Sequence, residues 1–143
     1  MPIGSRLDDK LGCTFVVWVG EITLDEWRAH YDALLANPAF PPGPRWLLDL
    51  RRANVDLFDD DALKALAARA NAAAEKLGGI RMAIVPNGAW RKASKAEKEL
   101  TVERLTTIQF TIFETACLWL GLPAEQASSI IEELVAEREE APG

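Results

Sequence analysis

Three apolar runs of strand length, each followed by enough chain for a helix, constrain this fold more than any other feature. They are "CTFVVWV" (13–19), "RWLLDLR" (45–51) and "IRMAIV" (80–85). The first is β-branched and aromatic and apolar on both faces, which suits a strand covered on both sides. Strands alternating with helices imply parallel neighbours joined by right-handed crossovers.

The segments between the runs support this reading. Residues 2–9 form a weak first strand, and "DDKLG" (8–12) is a turn that makes a hairpin with 13–19. "TLDE" (23–26) is a capping box, followed by Trp27, Tyr31, Leu34 and Leu35 at helical spacing. Asn37-Pro38 ends that helix, and "NPAFPPGP" (37–44) is a stiff connector. The spacing predicts helices over 59–77 and 88–104, a last strand over 105–110, and a short helix ending at Trp119-Leu120 before Gly121. "TIFE" (111–114) reads as a second capping box. A final helix over 123–139 carries Ala127, Ile130, Ile131, Leu134 and Val135 on one face. The expected architecture is α/β, with a mixed, mostly parallel five-stranded sheet, an antiparallel N-terminal hairpin, and helices packed on it. The main domain spans 1–121, and 122–143 adds an amphipathic helix and a frayed tail.

Composition narrows the functional classes. The chain has 143 residues, enough for one domain with a core of its own. Its net charge of −6 disfavours nucleic-acid binding, which needs basic clusters facing phosphate. The two cysteines, Cys13 and Cys117, lie in apolar stretches, form no CxxC pair, and fit a reducing cytoplasm. His30 is the only histidine, so neither a metal site nor a cofactor is expected. "MPIGSRLDDK" has no apolar signal region, and no apolar run approaches the ~18 residues of a membrane span. The one basic cluster, Arg91, Lys92, Lys95 and Lys98, reads as a solvated helix face.

The apolar hairpin strand followed by "GEITLDEWRAHYDALLANPAF", then "RWLLDLRRA", "RMAIVPN" and "FTIFETACLWLGL", together resemble the SpoIIAA-like family. These proteins share the STAS-type fold of anti-sigma-factor antagonists, and are more loosely similar to the lipid-carrying SEC14 fold. The resemblance covers roughly residues 3–121. It implies a small α/β domain and a regulatory, non-enzymatic activity. In phosphorylated STAS antagonists a serine or threonine near the start of the helix after the "RWLLDLR"-like strand is the switch. Residues 47–68 contain neither residue, and the corresponding place holds Asp59, Asp60 and Asp61. The implied phospho-switch therefore lacks its acceptor here.

The corner from Arg51 and Arg52 to Asp59, Asp60 and Asp61 is the candidate interaction site. An acidic first helical turn is the default reading of the aspartates. A constitutive mimic of a phosphorylated residue, or a cation site, is the sharper one. Asp49 interrupts an apolar strand and must accept backbone amides or pair with Arg51, two residues on along the same face. Of the five tryptophans, Trp18, Trp46 and Trp119 belong to apolar stretches, whereas Trp27 and Trp90 open helices. With His30 and Asp49, those two make up a candidate ligand pocket. No nucleophile–base pair is readable, so no catalytic residue is assigned. The primary expectation is a cytoplasmic protein-interaction module with an unidentified protein partner; the apolar face of 123–139 packs either on its own domain or on a second copy, as a homodimer through 123–139. The alternative is a carrier or sensor of a small apolar ligand or lipid.

Overall fold

A computed structural model describes residues 2–38, 44–54, 80–86 and 105–140, together with 61, 62, 64, 65, 68, 69 and 72. It shows a single α/β domain built on one five-stranded sheet. The strands are β1 (Ile3–Asp8), β2 (Cys13–Glu21), β3 (Arg45–Asn54), β4 (Ile80–Pro86) and β5 (Leu105–Gln109). They lie side by side in chain order. β1 runs antiparallel to β2, and every later pair is parallel. In the β1–β2 turn, the Asp8 carboxylate accepts the Leu11 amide at 2.8 Å and Gly12 takes φ 59°.

Helix α1 (Leu24–Ala36) starts at the expected capping box. The Thr23 hydroxyl accepts the Glu26 amide at 3.1 Å, and the Glu26 carboxylate accepts the Thr23 amide at 3.0 Å. Its buried face, Trp27, Tyr31 and Leu34, packs with Val16, Trp18, Trp46, Leu50, Met82 and Ile84 on one side of the sheet. Trp27 stacks on Tyr31 with centroids 4.9 Å apart, and Tyr31 leans on Trp46 at 6.1 Å. The described residues between 61 and 72 are helical, and Ala62 joins this same cluster.

The opposite face is covered by α2 (Phe113–Leu120) and α3 (Ala124–Glu140). Phe113, Ala116, Cys117 and Leu120 of α2, with Ala127, Ile131, Leu134 and Val135 of α3, bury Phe15, Val17, Leu47, Ala83 and Val85. α2 lies over β3 and β4, and α3 crosses β1 and β2. The apolar stripe of α3 is therefore covered by its own sheet. It belongs to the domain core, so of the two expected covers, its own domain or a second copy, the fold supplies the first for this stripe.

The expected capping box at 111–114 does not form. The Phe110 amide donates to Ile84 O at 2.8 Å, the chain then bends at Thr111 and Ile112, and α2 begins from an N-cap at Ile112 without a side-chain cap. A box needs its N-cap three residues before the glutamate, and a start at Ile112 puts Thr115 there instead. The far end of α2 closes as expected. Gly121 takes φ 73°, and the Leu122 amide donates to Cys117 O at 2.9 Å.

The expected helix over 88–104, residues 39–43 of the connector, Gly78-Gly79 and residues 141–143 lie outside the described residues.

Candidate functional site: the arginine corner of β3

Asp49 is the one charged side chain fully inside the described core, at 2 % exposure. It stands between Val17 and Val85 on the face covered by α2 and α3. A carboxylate there must be paired and hydrogen-bonded. Oδ1 accepts the Arg51 amide and Nε, both at 3.0 Å, and Oδ2 accepts Arg51 Nη2 at 2.7 Å. This is a two-pronged guanidinium–carboxylate contact, the strongest kind available to these groups. The expected same-face pair of Asp49 and Arg51 is present. The Asp49 hydrogen bonds hold the Arg51 guanidinium above its ordinary pKa despite partial burial.

Arg52 joins because the strand is irregular. Val17 pairs with Asp49, but Val19 pairs with Arg52, so β3 carries one residue more than β2 over this stretch. Such a bulge re-aims side chains. Under strict alternation, Arg52 would face away from Asp49. Instead its Nη1 lies 3.9 Å from Asp49 Oδ2, while Nη2 meets Glu132 of α3 at 3.2 Å. Arg51 also lies over the Phe113 ring at the start of α2, 4.9 Å from its centroid. Two half-exposed guanidiniums are thus held in set directions by a buried carboxylate, an aromatic ring and a helix carboxylate. They sit toward the carboxyl end of a central parallel strand, where open α/β sheets usually bind ligands.

Neither Phe113 nor Glu132 could be assigned to this corner from sequence, since both arrive from helices more than sixty positions away. The bulge did leave a trace. Leu48 and Leu50 follow period two, and the next buried apolar residue is Ala53. Of the three aspartates, Asp61 is helical and exposed; Asp59 and Asp60 lie outside the described residues.

The candidate pocket of Trp27, His30, Asp49 and Trp90 does not assemble. Trp27 is core and His30 is half-buried on α1, on one side of the sheet. Asp49 points to the other side, because strand side chains alternate. Trp90 lies outside the described residues. His30 instead borders an open cleft of about 310 Å³ with Pro2, Ile3, Asp25, Glu26 and Ala29. Its Nε2 is buried and has no hydrogen-bond partner among the described residues. Burial, with a smaller effect from Arg138, lowers its pKa. Burial also pushes the Cys13 thiol up to about 12 and the Cys117 thiol to about 11.

Among the described residues, no helix is long and apolar enough to cross a membrane. A scan against protein-family models gives no match, and a search of curated proteins gives none either.

Proposed function

We propose that this chain is a non-enzymatic, cytoplasmic interaction module of the STAS-like type that engages an acidic segment of a partner protein through Arg51 and Arg52. One observation carries the reading: buried Asp49 fixes two half-exposed guanidiniums at the carboxyl end of β3. Pre-organised arginines recur at the energetic centres of protein interfaces because little side-chain freedom is lost on binding. The Arg52–Glu132 pair is exposed on both sides, so a partner carboxylate can replace Glu132 at small cost. The succession of strands and the SpoIIAA-like resemblance support the module class, without a phosphorylatable residue at the corner.

The test compares proteins captured from an extract of the source cells by the wild type and by Arg52→Gln. Arg52→Gln removes the charge of an exposed side chain without setting a further carboxylate beside Asp49 and Glu132. The reading predicts at least one partner whose recovery falls about tenfold or more, and whose affinity falls likewise when both proteins are pure. Equal recovery of every captured protein contradicts it.

A carrier of a small apolar ligand is the second reading. The cleft bordered by Pro2, Ile3, Ala29 and His30 supports it, though about 310 Å³ is at the small end for ligand pockets.

A further inference from the structure

We propose, on the interaction reading of Arg51 and Arg52, that Glu132 is a built-in competitor for that corner: in the free chain it holds the place on Arg52 that a partner carboxylate takes. The two terminal nitrogens of Arg52 have different partners. Nη1 lies 3.9 Å from Asp49 Oδ2, whereas Nη2 donates to both Glu132 oxygens, Oε1 at 3.2 Å and Oε2 at 3.4 Å. Glu132 thus makes the contact that an incoming carboxylate would make. The corner is not cationic as it stands. Around the two guanidiniums, the described residues supply the carboxylates of Asp49, Glu132 and Glu114, the last from the first turn of α2. Two positive charges against three negative leave no surplus attraction for an acidic segment. A partner carboxylate must therefore take the place of one already there.

Of the three, Glu132 is the one that can yield. Asp49 is buried and grips Arg51 through both oxygens, so displacing it would strand a charge in the core. Glu114 forms no ion pair among the described residues, so moving it aside opens no position on either guanidinium. The Glu132 side chain is 54 % exposed and that of Arg52 36 %, so both can exchange this contact for water or for a ligand. Release of Glu132 leaves α3 docked. Glu133, the next residue, holds Arg6 of β1 at 2.6 Å, and Ile131, Leu134 and Val135 stay in the core. The gate is one side chain, not a moving helix. Exposed ion pairs are weak, so the competition lowers affinity by about two- to fivefold and does not switch binding off.

Titration of isotope-labelled protein with the peptide Ac-Ala-Glu-Glu-Ala-NH2 tests the proposal. The backbone amides and Nε–H signals of Arg51 and Arg52 are followed by NMR at about 0.15 M salt, where distant charges are screened. Four proteins are compared: the wild type, Glu132→Gln, Arg52→Gln and the double variant. The wild type is expected to bind in the millimolar range, and Glu132→Gln about two- to fivefold more tightly. Without Arg52 the same change is expected to bring no gain, since Glu132 then has no guanidinium to cover. If the Arg51 and Arg52 signals shift but Glu132→Gln binds no more tightly than the wild type, the competitor is overturned and the reading of the corner stands. An equal gain with and without Arg52 also overturns it, because Glu132 would then act only as a nearby charge. Signals of Arg51 and Arg52 that stay still in all four proteins overturn the reading of the corner itself, and the competitor with it.

Discussion

Arg45 donates from Nη1 to the carbonyl of Leu120 at 2.8 Å, across 75 positions of chain. α2 has no basic residue in its last turn, so its carboxyl end takes positive charge from the sheet. Arg45 and Arg81 are register partners on β3 and β4, and both point to the end of α2. Side-by-side cations repel. The helix carbonyls between them offset that repulsion. Arg45 Nη2 also donates to Leu11 O, so one side chain ties the β1–β2 turn, β3 and α2 together. Arg45→Gln is expected to lose about 2 kcal/mol of stability, the order of a charged hydrogen bond. In a chain of this size that lowers the melting temperature by roughly 6 °C. Arg45→Lys recovers less than half of the loss, because an ammonium lacks the fork that reaches both carbonyls. Urea unfolding measures both variants, and an Arg45→Gln midpoint equal to that of the wild type contradicts the assignment.

The Asp49–Arg51 contact predicts an asymmetry. Arg51→Ala leaves a carboxylate buried without its main partner, which costs about 3–5 kcal/mol. Asp49→Ala leaves a guanidinium that is 38 % exposed and can take up water, so the loss is smaller, about 2 kcal/mol. Denaturant unfolding of the two single variants and the double variant forms a closed cycle. Equal losses, or the opposite order, would show that Asp49 is not held as described.

Cys13 and Cys117 are fully buried, and burial pushes their thiols up to about 12 and about 11. Thiolate is the reactive form. The folded protein is therefore expected to take up no thiol reagent near pH 8 over minutes, and both cysteines are expected to react on unfolding in denaturant. Mass spectrometry counts the adducts, and a singly labelled folded protein contradicts the burial.

His30 gives a pH dependence with a definite sign. Its folded pKa lies below 6.5, because of burial first and Arg138 second. The unfolded chain thus binds the proton more readily than the folded one. Stability from this group is full above about pH 6.5 and declines as the pH falls through the unfolded pKa toward the folded one. Thermal melts between about pH 7.5 and about pH 5.5 are expected to fall more steeply for the wild type than for His30→Gln. Parallel slopes would remove His30 as their source.

The features legible in the sequence were those with local causes. β2, β3 and β4 announce themselves as short apolar runs, and the first capping box needs only Thr23 and Glu26, three positions apart. Asp49 and Arg51 were pairable because strand residues two apart share a face. The features that were not legible depend on tertiary register. The bulge that turns Arg52 toward Asp49 arises from pairing with β2, and Phe113 and Glu132 arrive from distant helices. α2 starts one residue beyond the expected box, because the chain bends at Thr111 and Ile112 before its N-cap at Ile112. Trp27 and Asp49 lie on opposite faces of the sheet, a separation that the order of residues along the chain does not reveal. Amphipathic patterning showed that the last helix needed a cover, and could not say that its own β1 and β2 supply it.

Native mass spectrometry of the gently purified protein tests the central claim most directly: that this is an interaction module and not a ligand carrier. The account predicts the unmodified chain mass, with nothing released on denaturation. A folded species carrying an apolar small molecule in fixed stoichiometry, lost when the protein unfolds, would contradict it.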